Sequence, residues 1–207
     1  MEEELYITKK QVVKIISDDL ELIMTENNFK FVKSKDAFIK KTSFGYLKIF
    51  ININSFWPLK QELNISISVI NYKINEIRMI FFSNAKRDNL IIHNWLVLPN
   101  SNELKYKELY TSQDIEIAKQ ETYDLIKDET FTYLEKYSHL ESIIEYTKNK
   151  KNSYFISILL ISSKLVKDIR YNEFKKNTLD TINDVNSKLD QKETLLKLIE
   201  YLDNQKL

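Results

Sequence analysis

The chain of 207 residues lacks cysteine, and it contains one glycine, two prolines and two histidines. Without cysteine the chain can form no disulfide, thiolate zinc site, iron–sulfur cluster or cysteine nucleophile. The single glycine, Gly45, excludes the Rossmann fingerprint and the P-loop, because both need several glycines where the backbone approaches a phosphate. His93 and His139 are 46 positions apart, which excludes a three-histidine zinc site and the H-E-x-x-H motif. We therefore expect neither a cofactor nor a metal site.

Charge of either sign is not in excess, since 31 Lys and Arg residues face 30 Asp and Glu residues, for a net charge of +1. Proteins that bind nucleic acid or anionic membranes usually carry a marked basic excess. Arginine, the preferred side chain for bidentate phosphate recognition, occurs only at positions 78, 87 and 170. The composition therefore predicts no nucleic-acid partner and no membrane partner.

Long hydrophobic runs are also missing. The longest apolar stretch, residues 154–161, is interrupted by Ser157 and is far shorter than the roughly 20 residues that span a bilayer. The first four residues, Met1-Glu2-Glu3-Glu4, are acidic, which is the opposite of a secretory signal. With 43% hydrophobic residues, the chain has enough apolar content for a sizeable core. We expect a soluble, cytoplasmic protein.

Hydrophobic periodicity in the first third of the chain predicts a helix followed by an antiparallel sheet. Thr8 and Gln11 form a capping box, apolar residues recur at helical spacing from about 9 to 26, and Asn27-Asn28 ends the helix. Short strands are expected at 29–33 and 37–42, with turns at 34–36 and at Gly45. Two longer strands then alternate cleanly, with Leu47, Ile49, Ile51, Ile53, Leu63, Ile65, Ile67 and Val69 on one face. This pattern predicts a meander with one buried face and one solvated face.

The rest of the chain is predicted to be mainly helical. Residues 74–82 fit a strand or a helix, and 90–98 fit a strand. Thr111 or Ser112 is expected to cap a helix over 113–136, and Ser138 to open a capping box for a helix to about 148. An apolar stripe from Tyr171 to Leu202, with a possible break near Asp190, predicts helices over 152–207. We expect an α+β domain over 1–150 and a helical extension over 151–207 packed on the same domain.

A resemblance to a known family covers about residues 20–145. It is carried by residues 28–30 (NFK), 38–42 (FIKKT), the turn at Gly45, the strand 49–54, the segment 110–114 (YTSQD), and 131–138 (FTYLEKYS) followed by Leu140-Glu141. These segments resemble the bacterial domain-of-unknown-function family numbered 4304. The resemblance implies an α+β fold with an antiparallel sheet, and it implies no catalytic residues. By analogy with similar small bacterial domains, it favours an immunity protein that binds a toxin.

Aromatic and polar side chains of the predicted sheet are the candidates for binding a partner. Phe56 and Trp57 follow the third strand, and Trp95 lies in a later strand; such aromatics either anchor a protein partner or close the edge of the core. The polar face of the sheet either presents a hydrogen-bonding surface or is simply solvated. Our candidate partner-binding residues are Phe56, Trp57, Trp95, Asn52, Asn54, Asn64 and Ser66.

Three classes of function follow from these candidates. The first is non-catalytic binding of another protein. The second is an enzyme acting on a small molecule through His93, although a lone histidine in a strand is more often structural, and no assembled catalytic set is visible. The third is a homo-oligomer built on the C-terminal apolar stripe, which packs equally well within the chain.

Overall fold

The computed structural model describes residues 8–56, 60–96, 107–184 and 186–205. These residues form two compact units. The first unit contains the described residues of 1–69 and 92–135, and the second contains those of 70–91 and 136–207. The predicted division into 1–150 and 151–207 stays a prediction. None of the described helices is long and apolar enough to cross a membrane.

The first unit begins with helix α1 (Lys9–Glu26), followed by the strands of a sheet. Thr8 and Gln11 form the expected capping box at the start of α1. At its end, Asn28 has a φ of 63°, a left-handed conformation that asparagine tolerates well. The strands are β1 (Lys30–Val32), β2 (Ala37–Lys41), β3 (Gly45–Phe56), β4 (Lys60–Asn71), β5 (Ile92–Leu96) and β6 (Lys107–Leu109). A short 3₁₀ turn, Lys33–Lys35, connects β1 to β2 as the sequence predicts.

The strands form one antiparallel sheet with the order β1-β2-β3-β4-β5, and β6 pairs with β4 as well. Sequential neighbours pair throughout this order, as expected for a meander. The predicted class, an α+β fold with an N-terminal helix, an antiparallel sheet and several C-terminal helices, is confirmed.

Strands β5 and β6 run along the same edge of β4, with an interruption between them. Ile65 pairs with Leu96 of β5, and Leu63 pairs with Lys107 of β6. On β4, only Asn64 lies between these two paired residues, whereas ten residues, 97–106, lie between their partners in the sequence.

Helices cover one face of this sheet. Helix α1 packs on β1 and β3 and against α3 (Ser112–Leu125), which also contacts β6. The apolar side chains of β3 and β4 on this face are almost fully buried: Leu47, Ile49, Ile51, Ile53, Leu63, Ile65, Ile67 and Val69. Each contributes about 1.5–3 kcal/mol relative to an exposed side chain, so the alternation fixes which face packs.

Two hydrogen bonds join this apolar face of the sheet to the helices that cover it. Lys107, which pairs with Leu63, donates to Glu121 of α3. Asn94, which pairs with Ile67, donates to Tyr133 of α4 (Phe131–Lys136). A π-helical segment, Ile126–Thr130, separates α3 from α4, so the helix expected over 113–136 is interrupted. Here the Thr130 hydroxyl donates to the Leu125 carbonyl, five residues earlier, at 3.1 Å.

The second unit consists of helices: α2 (Tyr72–Phe81), α5 (Leu140–Thr147), α6 (Ser153–Leu165), α7 (Tyr171–Asn183) and α8 (Lys192–Asn204). The ambiguous segment 74–82 is helical because the Asn71 side chain caps α2. The predicted box opened by Ser138 is wrong, since His139 is the N-cap of α5 and makes no side-chain cap bond. The predicted stripe also ends early: α7 stops at Asn183, so Leu189 is not helical, and Val185 lies outside the described residues.

A buried guanidinium lies in the core of the second unit. Arg78 of α2 is only 2% exposed, and its Nε donates to Ser157 Oγ of α6 at 2.9 Å. The guanidinium carbon is 4.1 Å from the centre of the Tyr154 ring. Among the described residues, no carboxylate pairs with Arg78 and its Nη1 has no hydrogen-bond partner. Desolvation therefore lowers the pKa of Arg78, and aromatic stacking replaces a counter-ion here.

Candidate functional site

The face of the sheet opposite the helices carries polar side chains from three neighbouring strands. The pairing of Ser66 with Trp95, and of Ser68 with His93, places these side chains on one face. Strand alternation adds the remaining members. We call this set the polar face: Asn52 and Asn54 of β3, Asn64, Ser66 and Ser68 of β4, and His93 and Trp95 of β5.

The expectation that this face is solvated is wrong along β4. Asn64 is 8% exposed, Ser66 is 1% exposed and Ser68 is fully buried. These short side chains belong to a strand that pairs on both of its edges. By contrast, Asn54 is exposed and Asn52 is half-buried on β3. The polar face therefore has a buried centre on β4, bordered by the more accessible groups of β3 and β5.

Two hydrogen bonds connect the strands across this surface. Asn52 Nδ2 donates to Ser66 Oγ at 3.0 Å. Ser68 Oγ lies 2.7 Å from His93 Nδ1. Both bonds join side chains that are distant in sequence, so they fix the positions of the rings and amides beside them.

Two aromatic rings contact His93, an exposed residue at the β5 side of the polar face. The imidazole meets the Trp95 ring edge-on at 5.2 Å between centroids, and the Phe50 ring at 6.5 Å. Partial desolvation lowers the pKa of His93, so the imidazole is neutral at neutral pH. Trp95 itself is 44% exposed, which leaves much of its ring accessible to a ligand.

Asn64 is the unsatisfied member of the polar face. Its Oδ1 is buried and finds no hydrogen-bond partner among the described residues. Ser66 and Ser68, the next two β4 positions on this face, both have partners. Asn64 also lies at the interruption between β5 and β6. A buried acceptor without a donor is unfavourable by about 1–3 kcal/mol.

A charged cluster lies near Asn64, at the N-terminal end of β4. Lys60 Nζ is 2.8 Å from a Glu62 carboxylate oxygen and 2.6 Å from one of Glu108. Tyr110 donates its hydroxyl proton to Glu108 at 2.8 Å. The Lys60 ammonium and the Tyr110 hydroxyl lower the pKa of Glu108, and the two carboxylates raise the pKa of Lys60. The cluster thus holds two carboxylates and one ammonium, a formal charge of −1.

The structure brings five of the seven candidate residues onto this face. Asn52 and Ser66 are hydrogen-bonded, Trp95 pairs with Ser66, and alternation along β3 and β4 places Asn54 and Asn64 on the same face. Phe56 is the last residue of β3, but its side chain is not described, and Trp57 lies outside the described residues.

Sequence reasoning missed the Ser68–His93 bond and the charged cluster. The first depends on the β4–β5 register, which is set by tertiary pairing rather than by local pattern. The second brings Lys60 and Glu108 together across 48 positions through the three-residue strand β6, which gives almost no periodic signal.

The chemistry available at the polar face is hydrogen bonding and ring stacking. Ser68 cannot reach a substrate as a nucleophile because it is fully buried. Within the part of the chain that the structure describes, no three His, Asp or Glu side chains are grouped so as to hold a metal ion.

No protein-family model, curated protein or solved structure matches this chain. The resemblance over residues 20–145 stays a prediction, and the function must be argued from the polar face itself.

Proposed function

We propose that this protein acts by non-catalytic binding of another protein through the polar face. The observation that carries the proposal is the position of Trp95, a 44% exposed indole beside a surface of hydrogen-bonding groups. Protein interfaces typically combine a few aromatic anchors with polar groups around them, and tryptophan is among the residues most enriched at such anchors.

The hydrogen bonds at the polar face support a rigid binding surface. Ser68 holds the His93 imidazole, whose ring in turn meets Trp95 edge-on, so the indole has a fixed neighbour on one side. A side chain that is already ordered loses less conformational entropy when a partner binds. Trp95 is therefore a preorganised anchor rather than a loose surface residue.

The most specific form of this proposal is an immunity-type inhibitor that binds and blocks a toxin. It is supported by the family resemblance and by analogy, and it requires a one-to-one complex with a single co-encoded partner. It requires no catalytic residue and no cofactor.

The test is affinity capture from native cells with three tagged proteins: the wild type, Trp95→Asp and Leu22→Asp. Leu22 lies on α1 and is 72% exposed, so its replacement makes the same change in charge and apolar area away from the polar face. We expect one stoichiometric protein with the wild type and the Leu22 variant, and its loss with the Trp95 variant. If no stoichiometric protein is captured, or if Trp95→Asp captures it equally well, the proposal is wrong.

A second candidate function, catalysis on a small molecule, is favoured by the 2.7 Å contact between Ser68 and His93. The contact orients the imidazole through Nδ1, and the lowered pKa keeps the ring neutral, as a general base must be. A metabolite screen with the wild type and with His93→Gln tests it. Turnover that disappears in the variant, with unchanged folding by circular dichroism, would support catalysis over simple binding.

A further inference from the structure

A groove lies between helix α1 and the segment 31–36, away from the polar face. Strand β1 ends the strand order of the sheet, and α1 packs against it. The groove between them has a volume of about 670 Å³. Small-molecule sites are typically clefts of roughly 300–1,000 Å³, so a compact organic ligand fits here.

The apolar part of the groove is formed by α1 and an aromatic ring of β1. Val13 and Ser17, one helical turn apart on α1, line the groove and are nearly buried. Phe31 of β1 pairs in register with the buried Phe38, and their ring centroids are 5.0 Å apart. Phe31 itself is half-buried, so part of its ring is accessible in the groove. A supported, accessible ring favours an aromatic ligand, because ring pairs contribute beyond the area that they bury.

The charged side chains that line the groove carry an excess of positive charge, since they are four lysines and two aspartates. Both aspartates are already paired. The Lys9 Nζ is 3.8 Å from a carboxylate oxygen of Asp36, and Lys14 pairs with Asp18 one turn further along α1. These two pairs are neutral, so the excess of two positive charges belongs to the remaining lysines.

The remaining lysines are Lys10 and Lys33, which are both exposed and form no ion pair with the residues that the structure describes. Lys10 belongs to α1 and Lys33 to the 3₁₀ turn after β1, so they come from the two elements that border the groove. Positive side chains around a partly apolar cleft raise the local concentration of anions. An ammonium only donates hydrogen bonds, and a carboxylate can accept from two donors at once.

We propose that this groove binds a small aromatic carboxylate, whose ring lies on Phe31 and whose carboxylate is held by Lys10 and Lys33. An uncharged aromatic compound gains nothing from the two ammonium groups, and a small inorganic anion leaves the Phe31 ring uncovered. Through Phe38 and Ile49, register places Phe31 on the face of the sheet that the helices cover. The inference is therefore independent of the function proposed for the polar face.

The test is a titration of the ¹⁵N-labelled full chain with 2-naphthoate, followed by NMR of the backbone amides. 2-Naphthamide is the matched control, because it has the same ring system and no charge. We expect 2-naphthoate to bind at least about threefold more tightly, the difference expected for one or two exposed ion pairs. The largest shift changes should occur at Val13, Ser17 and Phe31.

Three variants, each checked for folding by circular dichroism, make the result specific. The double variant Lys10→Gln with Lys33→Gln should weaken 2-naphthoate binding at least about threefold and change 2-naphthamide binding less than about twofold. Its matched control, Lys35→Gln with Lys41→Gln, removes the same charge from two exposed lysines that do not line the groove, and should change both affinities less than about twofold. Phe31→Leu should weaken both compounds by about two- to fivefold, because the ring contact is lost.

Equal binding of 2-naphthoate and 2-naphthamide to the wild type, or shift changes away from Val13, Ser17 and Phe31, would overturn the inference. Equal weakening of 2-naphthoate binding by the two double variants would also overturn it, since the overall charge of the protein would then account for the attraction. An unchanged affinity of both compounds for Phe31→Leu would show that the ring does not lie on Phe31, and the proposed site would be wrong.

Discussion

Replacing Asn64 by valine should make the protein more stable, although it removes a polar side chain from a strand. Asn64 is almost completely buried, and its Oδ1 lacks a hydrogen-bond partner among the described residues. The folded state therefore bears the desolvation of an acceptor without the compensating bond, about 1–3 kcal/mol. Valine is close in volume, has no polar atom and favours strands. We expect the free energy of unfolding to rise by about 1–3 kcal/mol.

The assay is urea denaturation followed by tryptophan fluorescence, which reports on the two tryptophans of the sequence, Trp57 and Trp95. The matched control is Asn52→Val on the same face. Asn52 does have a partner, so its loss leaves the buried Ser66 hydroxyl without its donor and should lower stability by about 1 kcal/mol or more. If Asn64→Val destabilises the protein as much as Asn52→Val does, the Asn64 amide is satisfied and the reasoning for an unsatisfied acceptor fails.

Three further predictions concern the pH dependence and the two units. Partial desolvation lowers the pKa of His93 from its ordinary value of 6.5, so the native state binds fewer protons than the unfolded state. The contribution of the neutral His93 to stability is complete above about pH 6.5 and is lost as the pH falls through the lowered pKa. In His93→Gln, the urea midpoint should therefore depend less on pH between about pH 7 and 5 than in the wild type. Arg78→Lys should destabilise the second unit by about 1–2 kcal/mol, because the ammonium loses the Ser157 bond and the stacking on Tyr154. The measurement is urea denaturation followed by circular dichroism, and an unchanged midpoint would contradict this prediction. Thr111→Ala should lower stability by about 1 kcal/mol in the same assay, because Thr111 caps α3 within a capping box, whereas Thr111→Ser should keep most of it.

Local signals in the sequence predicted most of the first unit. The capping boxes at Thr8 and Thr111 depend on residues three positions apart, so they are visible without tertiary information. The alternation of β3 and β4 is equally local, since it only requires that one face be apolar. These features were sufficient for the α+β class, and the short connections favoured a meander, but the strand order was left open.

The polar face shows where such reasoning ends. Alternation assigns Ser66 and Ser68 to the face opposite the apolar core, but it does not say whether that face meets water. Their burial is a tertiary property, which the alternation of a single strand does not contain. Polar character alone was therefore a poor guide to exposure.

The candidate site was identified only in part for the same reason. Asn64 could be proposed from its place in a polar strand, but its burial and the lack of a partner for its Oδ1 among the described residues are tertiary properties that no short window of sequence contains. The charged cluster around Lys60 likewise requires β6, whose three residues carry no period.

The central claim is that the polar face binds a protein through Trp95, and the most direct measurement is the affinity of the captured protein for three variants by calorimetry. We predict that Trp95→Asp weakens binding by at least about 30-fold, the loss expected for an interface anchor worth about 2 kcal/mol or more. The wild type and Leu22→Asp should agree within about threefold. Equal affinities for all three proteins, or a larger loss with Leu22→Asp than with Trp95→Asp, would contradict the account.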